Sequence, residues 1–120
     1  MSHYKELLAY KKSYEVAMTI FKLSKKFPPE EKYSLTDQIR RSSRSVCANL
    51  VEAHRRRRYK HYFISKLNDC ETENGETQVW LDFSLDCGYI NSTEHMQLSQ
   101  LNDEVGKLIW YRINNPDKFT

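Results

Sequence analysis

Eight basic side chains crowd the middle of this chain: Arg40, Arg41 and Arg44, then Arg55, Arg56, Arg57, Arg58 and Lys60. Glu52 is the one acid among them. A guanidinium presents a planar fork of donors that matches phosphate oxygens two at a time, so this cluster suits a polyanion, RNA or another nucleic acid. Tyr59 and Tyr62 adjoin it and offer ring faces on which exposed bases stack. The competing reading is a solvated face whose charges pair with acids of the same or another subunit. A second set, Ser45, Asn49 and Glu52 with Arg56 beyond, recurs at four- and three-residue spacing beside an apolar seam. It predicts a structural hydrogen-bond network that sets register or oligomer state, because acid, base and nucleophile do not converge in it. A third set is the acidic run Asp69, Glu71, Glu73 and Glu76, with Asp82 and Asp86. Di-metal bundles join such carboxylates to Glu-x-x-His motifs, and no Glu here is followed by His at that spacing. His3, His54, His61 and His95 are scattered, and zinc and catalytic-cysteine spacings are absent. No metal, cofactor or catalytic residue is expected, so the chain reads as a non-enzyme.

The elements that must carry these residues are helices. Of 120 residues, 39% are hydrophobic and 29% charged, with three Gly and three Pro, too few turn residues for a strand-rich domain. Helix 1 is predicted over residues 4–26, with Leu7, Tyr10, Tyr14, Ala17 and Phe21 as its stripe, widened by Val16, Ile20 and Leu23. Phe27-Pro28-Pro29 ends it, since a residue before proline is pushed out of the helical region. Helix 2 is predicted to begin after Ser34 as cap, with the core register Leu35, Ile39, Ser42, Val46, Leu50, Ala53, and to fray where Arg55–Arg58 repel. Helix 3 is predicted over residues 59–87, with Phe63, Leu67, Cys70, Asn74, Thr77, Leu81 and Leu85 as its seam and Gly88 as its C-terminal cap. Helix 4 starts near Asn91, which caps with Glu94. It follows Leu98, Leu101, Val105, Leu108 and Arg112, flanked by Ile109 and Trp110, and stops at Asn115-Pro116. Trp80, Phe83, Trp110 and Tyr111 read as core or interface. Four amphipathic helices with short links predict one all-α domain over residues 1–120, an antiparallel up-down-up-down four-helix bundle.

Charge is strongly polarised along the chain. Residues 1–66 hold sixteen Lys/Arg against six Asp/Glu, whereas residues 67–106 hold nine acids and no Lys or Arg. Opposite patches of this kind can pair between subunits while one of them attracts a polyanion. The N-terminus lacks the apolar stretch of an export signal, and no apolar run approaches the ~20 residues of a spanning helix. A cytoplasmic protein is expected, with no membrane partner. Cys47, Cys70 and Cys87, odd in number and without CxxC spacing, are expected as reduced thiols packed like small hydrophobes.

These residues also carry a family resemblance. The stretch Phe27-Pro28, Glu31, Leu35-Thr36, Gln38-Ile39-Arg40-Arg41, Ser45-Val46, Asn49-Leu50, Glu52 resembles the pattern F-P, E, L-T, Q-I-R-R, S-I, N-I-A-E-G. That pattern marks the bacterial four-helix bundle proteins related to the large-subunit rRNA intervening-sequence protein. Weaker matches are Phe63, Leu67, Glu76 and the Gly88-Tyr89-Ile90 turn, so the resemblance runs from Tyr4-Lys5 to helix 4. The chain departs from the pattern at Val51 and Ala53, where the family has Ala and Gly, and at Thr72-Glu73, where a Gly-Ser pair is common. The resemblance implies a left-handed antiparallel bundle that assembles into a ring, usually a pentamer, and it implies no enzymatic activity. The chain is also similar to accessory proteins of diversity-generating retroelements, which pair with a reverse transcriptase and bind nucleic acid.

Overall fold

The computed structural model describes Tyr4 and residues 7–120. His3 and Lys5, and with them part of the expected first turn of helix 1, lie outside the described residues. Four helices pack as a bundle: α1 (Leu8–Ser24), α2 (Asp37–Arg55), α3 (Lys60–Asp86) and α4 (Ser92–Asn114). Neighbours around it are α1–α2, α2–α3, α3–α4 and α4–α1, with α2–α3 the most extensive contact. A link over residues 25–36 that contains two helical turns, and short links over 56–59 and 87–91, turn each helix back on the one before, which makes the order antiparallel. The 27 residues of α3 span ~40 Å at the helical rise and account for most of the 44 Å long axis.

Most helix ends lie where the residues call for them. Asn91 accepts from the Glu94 amide at 2.8 Å while the Glu94 carboxylate accepts from the Asn91 amide at 2.9 Å, the reciprocal cap expected for α4. Gly88, at φ +79°, closes α3 in the left-handed conformation. There the Tyr89 amide reaches the Ser84 carbonyl and the Gly88 amide the Leu85 carbonyl, both at 2.9 Å. The start of α2 differs from expectation. Ser34 does not cap it; a wide turn over Lys32–Thr36 runs directly into the helix, and Ser34 instead donates to the Glu31 carboxylate at 2.6 Å. Tyr89 donates to the other oxygen of that carboxylate at 2.8 Å, tying the α1–α2 link to the α3–α4 turn. Donation from Ser34, then from Tyr89, holds the Glu31 carboxyl below its ordinary range. The same bond favours the neutral phenol and pushes Tyr89 up to about 12.

The core register of α2 is buried throughout, from Leu35 to Ala53. So are Phe63, Leu67, Cys70, Thr77 and Leu81 of α3, with Asn74 and Leu85 half-buried. In α1 the expected Val16, Ala17 and Ile20 are buried, joined by Ala9, Ser13 and Ser24, whereas Tyr10, Tyr14 and Phe21 of the expected row are not. Tyr10 and Tyr14, each one position on from Ala9 and Ser13, lie about 100° round the helix from that buried row. Tyr14 is left 52% exposed. In α4 the seam is Leu98, Asn102, Val105 and Ile109, while Leu101, Leu108 and Arg112 are half-buried. Asn102 turns inward because α3 offers it polar partners. Its amide donates to the Asn74 carbonyl and the Gln78 side chain, both at 3.2 Å, and Asn74 donates back at 2.9 Å. Gly106 makes room for this layer, since a Cβ there would stand 2.8 Å from Asn74 Oδ1. A second polar contact joins α2 to α3, where the Thr77 and Ser42 hydroxyls are 2.9 Å apart. Cys70 is fully buried and its thiol is pushed up to about 12 by burial. Cys47 is half-buried, but Cys87 is exposed beside Gly88 and is not packed as expected.

Candidate nucleic-acid interface

The α2–α3 turn is tight. The Arg56 amide still reaches the Glu52 and Ala53 carbonyls, and the Tyr59 amide closes the turn on the Arg56 carbonyl at 2.9 Å. Buried Ala53 and Phe63 fasten it to the core on either side. Four successive arginines cannot all face inward on so short a turn, so their side chains splay outward. Arg55, Arg56 and Arg58 are exposed, and among the described residues no carboxylate pairs with them. Arg56 lies over the Tyr62 ring at 5.4 Å and Arg58 over the Tyr59 ring at 5.0 Å. Arg57 differs: it is half-buried and donates to the His54 carbonyl at 2.7 Å, capping the end of α2.

The other basic residues are not gathered there. Along α2 the separation of Arg40 from Arg55 is roughly 22 Å at the helical rise. Arg40 donates through Nε to Ser24 Oγ at 2.8 Å and, with Arg44, covers the Phe21 ring. Arg41 is held by two acids of α3, at 2.9 Å from Glu73 and in contact with Glu76. Its hydrogen bond to Glu76 raises its pKa further, so this cation is already occupied within the protomer. Lys60 pairs with Asp117 at 3.0 Å, bringing the C-terminal turn Pro116–Lys118 beside the start of α3. The eight residues therefore fall into an open trio at the turn with Arg57 capping α2 beside it, a pair at Phe21, and two engaged in ion pairs. The C-terminal turn is held to the end of α4 by Lys118 on the Tyr111 hydroxyl and by Phe119 against Tyr111 and Arg112, but its pairing with Lys60, fifty-seven positions away, has no local signal.

Ser45 and Asn49 are half-buried, and the Glu52 side chain is 53% exposed, with its carboxylate 2.8 Å from Lys66. Within the protomer the buried hydrogen bonds lie instead at Ser42–Thr77 and at Asn74–Asn102–Gln78, because the α2 seam turns Ser42 rather than Ser45 toward α3. An exposed pair of this kind adds little to stability. Glu52→Ala is accordingly expected to melt within about 3 °C of the wild type. A much larger drop in thermal unfolding would place Glu52 in a contact that the isolated protomer lacks.

Of the acidic run, Glu73 and Glu76 are taken by Arg41, Asp69 faces Lys66 at 3.6 Å, and Asp82 faces His95 at 2.8 Å. Ser99 approaches the same His95 Nε2 at 3.5 Å. Asp82 and Ser99 thus share one ring nitrogen, whereas a serine relay uses both. Among the described residues no group of three His, Cys, Asp or Glu could hold a metal ion, and no helix is long and apolar enough to cross a membrane. The displaced aromatic row of α1 leaves one more feature. Tyr10, Tyr14 and Met18 line a groove of about 380 Å³ with Cys47, Ala48 and Val51 of α2. Phe83 of α3 and Trp110 of α4 are also exposed.

Residues 5–111 match the sequence pattern of the 23S rRNA-intervening sequence protein family. A similar solved structure is a protein of unknown function from the S23 ribosomal protein family of Bacteroides thetaiotaomicron. It is 32% identical, with a TM-score of 0.78, over 89% of this chain and 96% of that one. No curated protein matches.

Proposed function

This chain belongs to the 23S rRNA-intervening sequence protein family, and we propose that it acts without catalysis, as a homo-oligomeric cytoplasmic module that binds RNA through its arginine turn. The observation that carries the reading is the state of Arg55, Arg56 and Arg58. They are exposed, fixed to the core by a short turn, and paired with no carboxylate among the described residues. A fold gains nothing from holding like charges together, so their use lies with a partner of opposite charge. Arg44 lies over Phe21 and is among the residues lining the α1–α2 groove, and Arg40 stays near Phe21 and Ser24. Self-association is supported by the apolar groove of α1–α2 and by the opposed charges of the two halves of the chain. A groove that meets a different surface of the next copy makes a head-to-tail contact, which gives a ring when the rotation between copies closes. The pentamer implied by the resemblance is the ring we expect, and repetition of the turn around it would strengthen weak phosphate contacts by multivalency.

One observation favours a second reading. Arg41 and Lys66 already pair with acids of the same protomer, so a scaffold binding only protein, with its remaining arginines against an acidic subunit surface, follows the same habit. Light scattering joined to RNA retention across salt concentrations separates the two. The RNA module is an oligomer that retains RNA at low salt and releases it as salt rises. An intact oligomer that retains no RNA favours the scaffold, and a monomer at micromolar concentration defeats the ring.

A further inference from the structure

The side chains around the arginine turn bear on the form of nucleic acid it would take. Arg56, Tyr59, Lys60, His61, Tyr62 and Ser65 line an open groove of about 690 Å³. Tyr59 is 50% exposed and Tyr62 45% exposed, although both rings are large enough to be worth burying. Each carries a single guanidinium over one face, Arg58 at 5.0 Å and Arg56 at 5.4 Å. Tyr59 is held by the extended backbone before α3, and Tyr62 stands in the first turn of that helix. The backbone therefore fixes both rings beside the charges. An Arg plane and a Tyr face are the two protein surfaces on which an unstacked base packs.

We infer that the turn takes single-stranded, unpaired RNA in preference to duplex, with bases stacked on Tyr59 and Tyr62 and phosphates met by Arg55, Arg56 and Arg58; this rests on the RNA-binding reading above. In a duplex the base faces are stacked on one another and the A-form major groove is too deep and narrow to enter, so phosphates and minor-groove 2′-hydroxyls are available to this site but no base face is. The arginines then serve both forms, whereas the tyrosines contribute to single strands alone. The preference needs no base-specific hydrogen bond, so it holds across sequences.

The experiment compares an unstructured RNA with its blunt duplex of equal length, each titrated by fluorescence anisotropy against the whole protein at fixed salt. Wild type is expected to bind the single strand ~10-fold or more tightly than the duplex, the size that stacking of a base or two supplies. Tyr59→Leu combined with Tyr62→Leu keeps the apolar bulk, and is expected to remove most of that preference while leaving duplex affinity unchanged. Tyr59→Phe with Tyr62→Phe keeps the ring faces and should behave as wild type, with unaltered circular dichroism in both variants. Equal wild-type affinity for the two forms, or a parallel loss for both in the leucine variant, overturns the inference while leaving RNA binding in place. Failure of wild type to bind either form removes the RNA reading itself, and this inference with it.

Discussion

Replacing Arg55, Arg56 and Arg58 together by Ser is expected to weaken RNA binding roughly 50-fold near physiological salt, with the fold and the oligomer unchanged. The size follows from counterion release. Each phosphate contact to a single strand adds ~0.7 to the logarithmic salt slope, so three contacts amount to a slope change of about 2. Arg57 is spared because its bond to the His54 carbonyl caps α2, and losing it would mix a stability effect into the measurement. The three substituted side chains are exposed and outside the ion pairs of the bundle, so circular dichroism and thermal unfolding should match the wild type. Because phosphates carry no sequence information, the loss should be uniform across RNA sequences. Affinity and slope retained in the variant would reduce the turn to a solvated face. Loss of the oligomer instead would make these arginines subunit contacts, as the scaffold reading requires.

The second large effect lies beneath the turn. Phe63 is 2% exposed and sits in the first turn of α3, one residue beyond Tyr62. Truncating a buried Phe to Ala removes its transfer energy and leaves a cavity that a close-packed bundle closes only in part, at ~3–5 kcal/mol. Against a total stability of ~5–15 kcal/mol this is a large share. Phe63→Ala is therefore expected to lower the melting temperature by about 15 °C. It should also loosen the start of α3, so that the turn loses protection in hydrogen exchange before the α3–α4 end does. Phe63→Leu, which keeps most of the volume, is expected to recover more than half of the loss. A melting temperature unchanged in Phe63→Ala would mean that the turn is held by something other than the core.

The α2 register was fully legible in the residues. Leu35, Ile39, Ser42, Val46, Leu50 and Ala53 are buried as their spacing predicts, because one helix with one apolar stripe leaves a single way to bury it. The Asn91–Glu94 cap, the Gly88 termination and the stop before Pro116 were legible for a similar reason. Each depends on the geometry of neighbouring residues and on nothing distant. Helices 1 and 4 were harder. In α1 the burial of Val16, Ala17 and Ile20 was legible, but Ala9 and Ser13 took the inside where Tyr10 and Tyr14 were expected. In α4 the choice between Leu101 and Asn102 is decided by Asn74 and Gln78, some twenty-five positions away.

The site divides along the same line. Sequence by itself determined that four arginines would stand together at the end of α2, because like charges end a helix and cannot be buried side by side. It also determined the two tyrosines beside them, since adjacency along the chain is adjacency in space over a turn. Only the tertiary structure decided which cations remain open. Packing of α2 on α3 brings Glu73 and Glu76 to Arg41, and the return of the C-terminal turn brings Asp117 to Lys60. Pairing of charges depends on distance through space, and helices that pack side by side bring together residues far apart in the chain, which no local periodicity records.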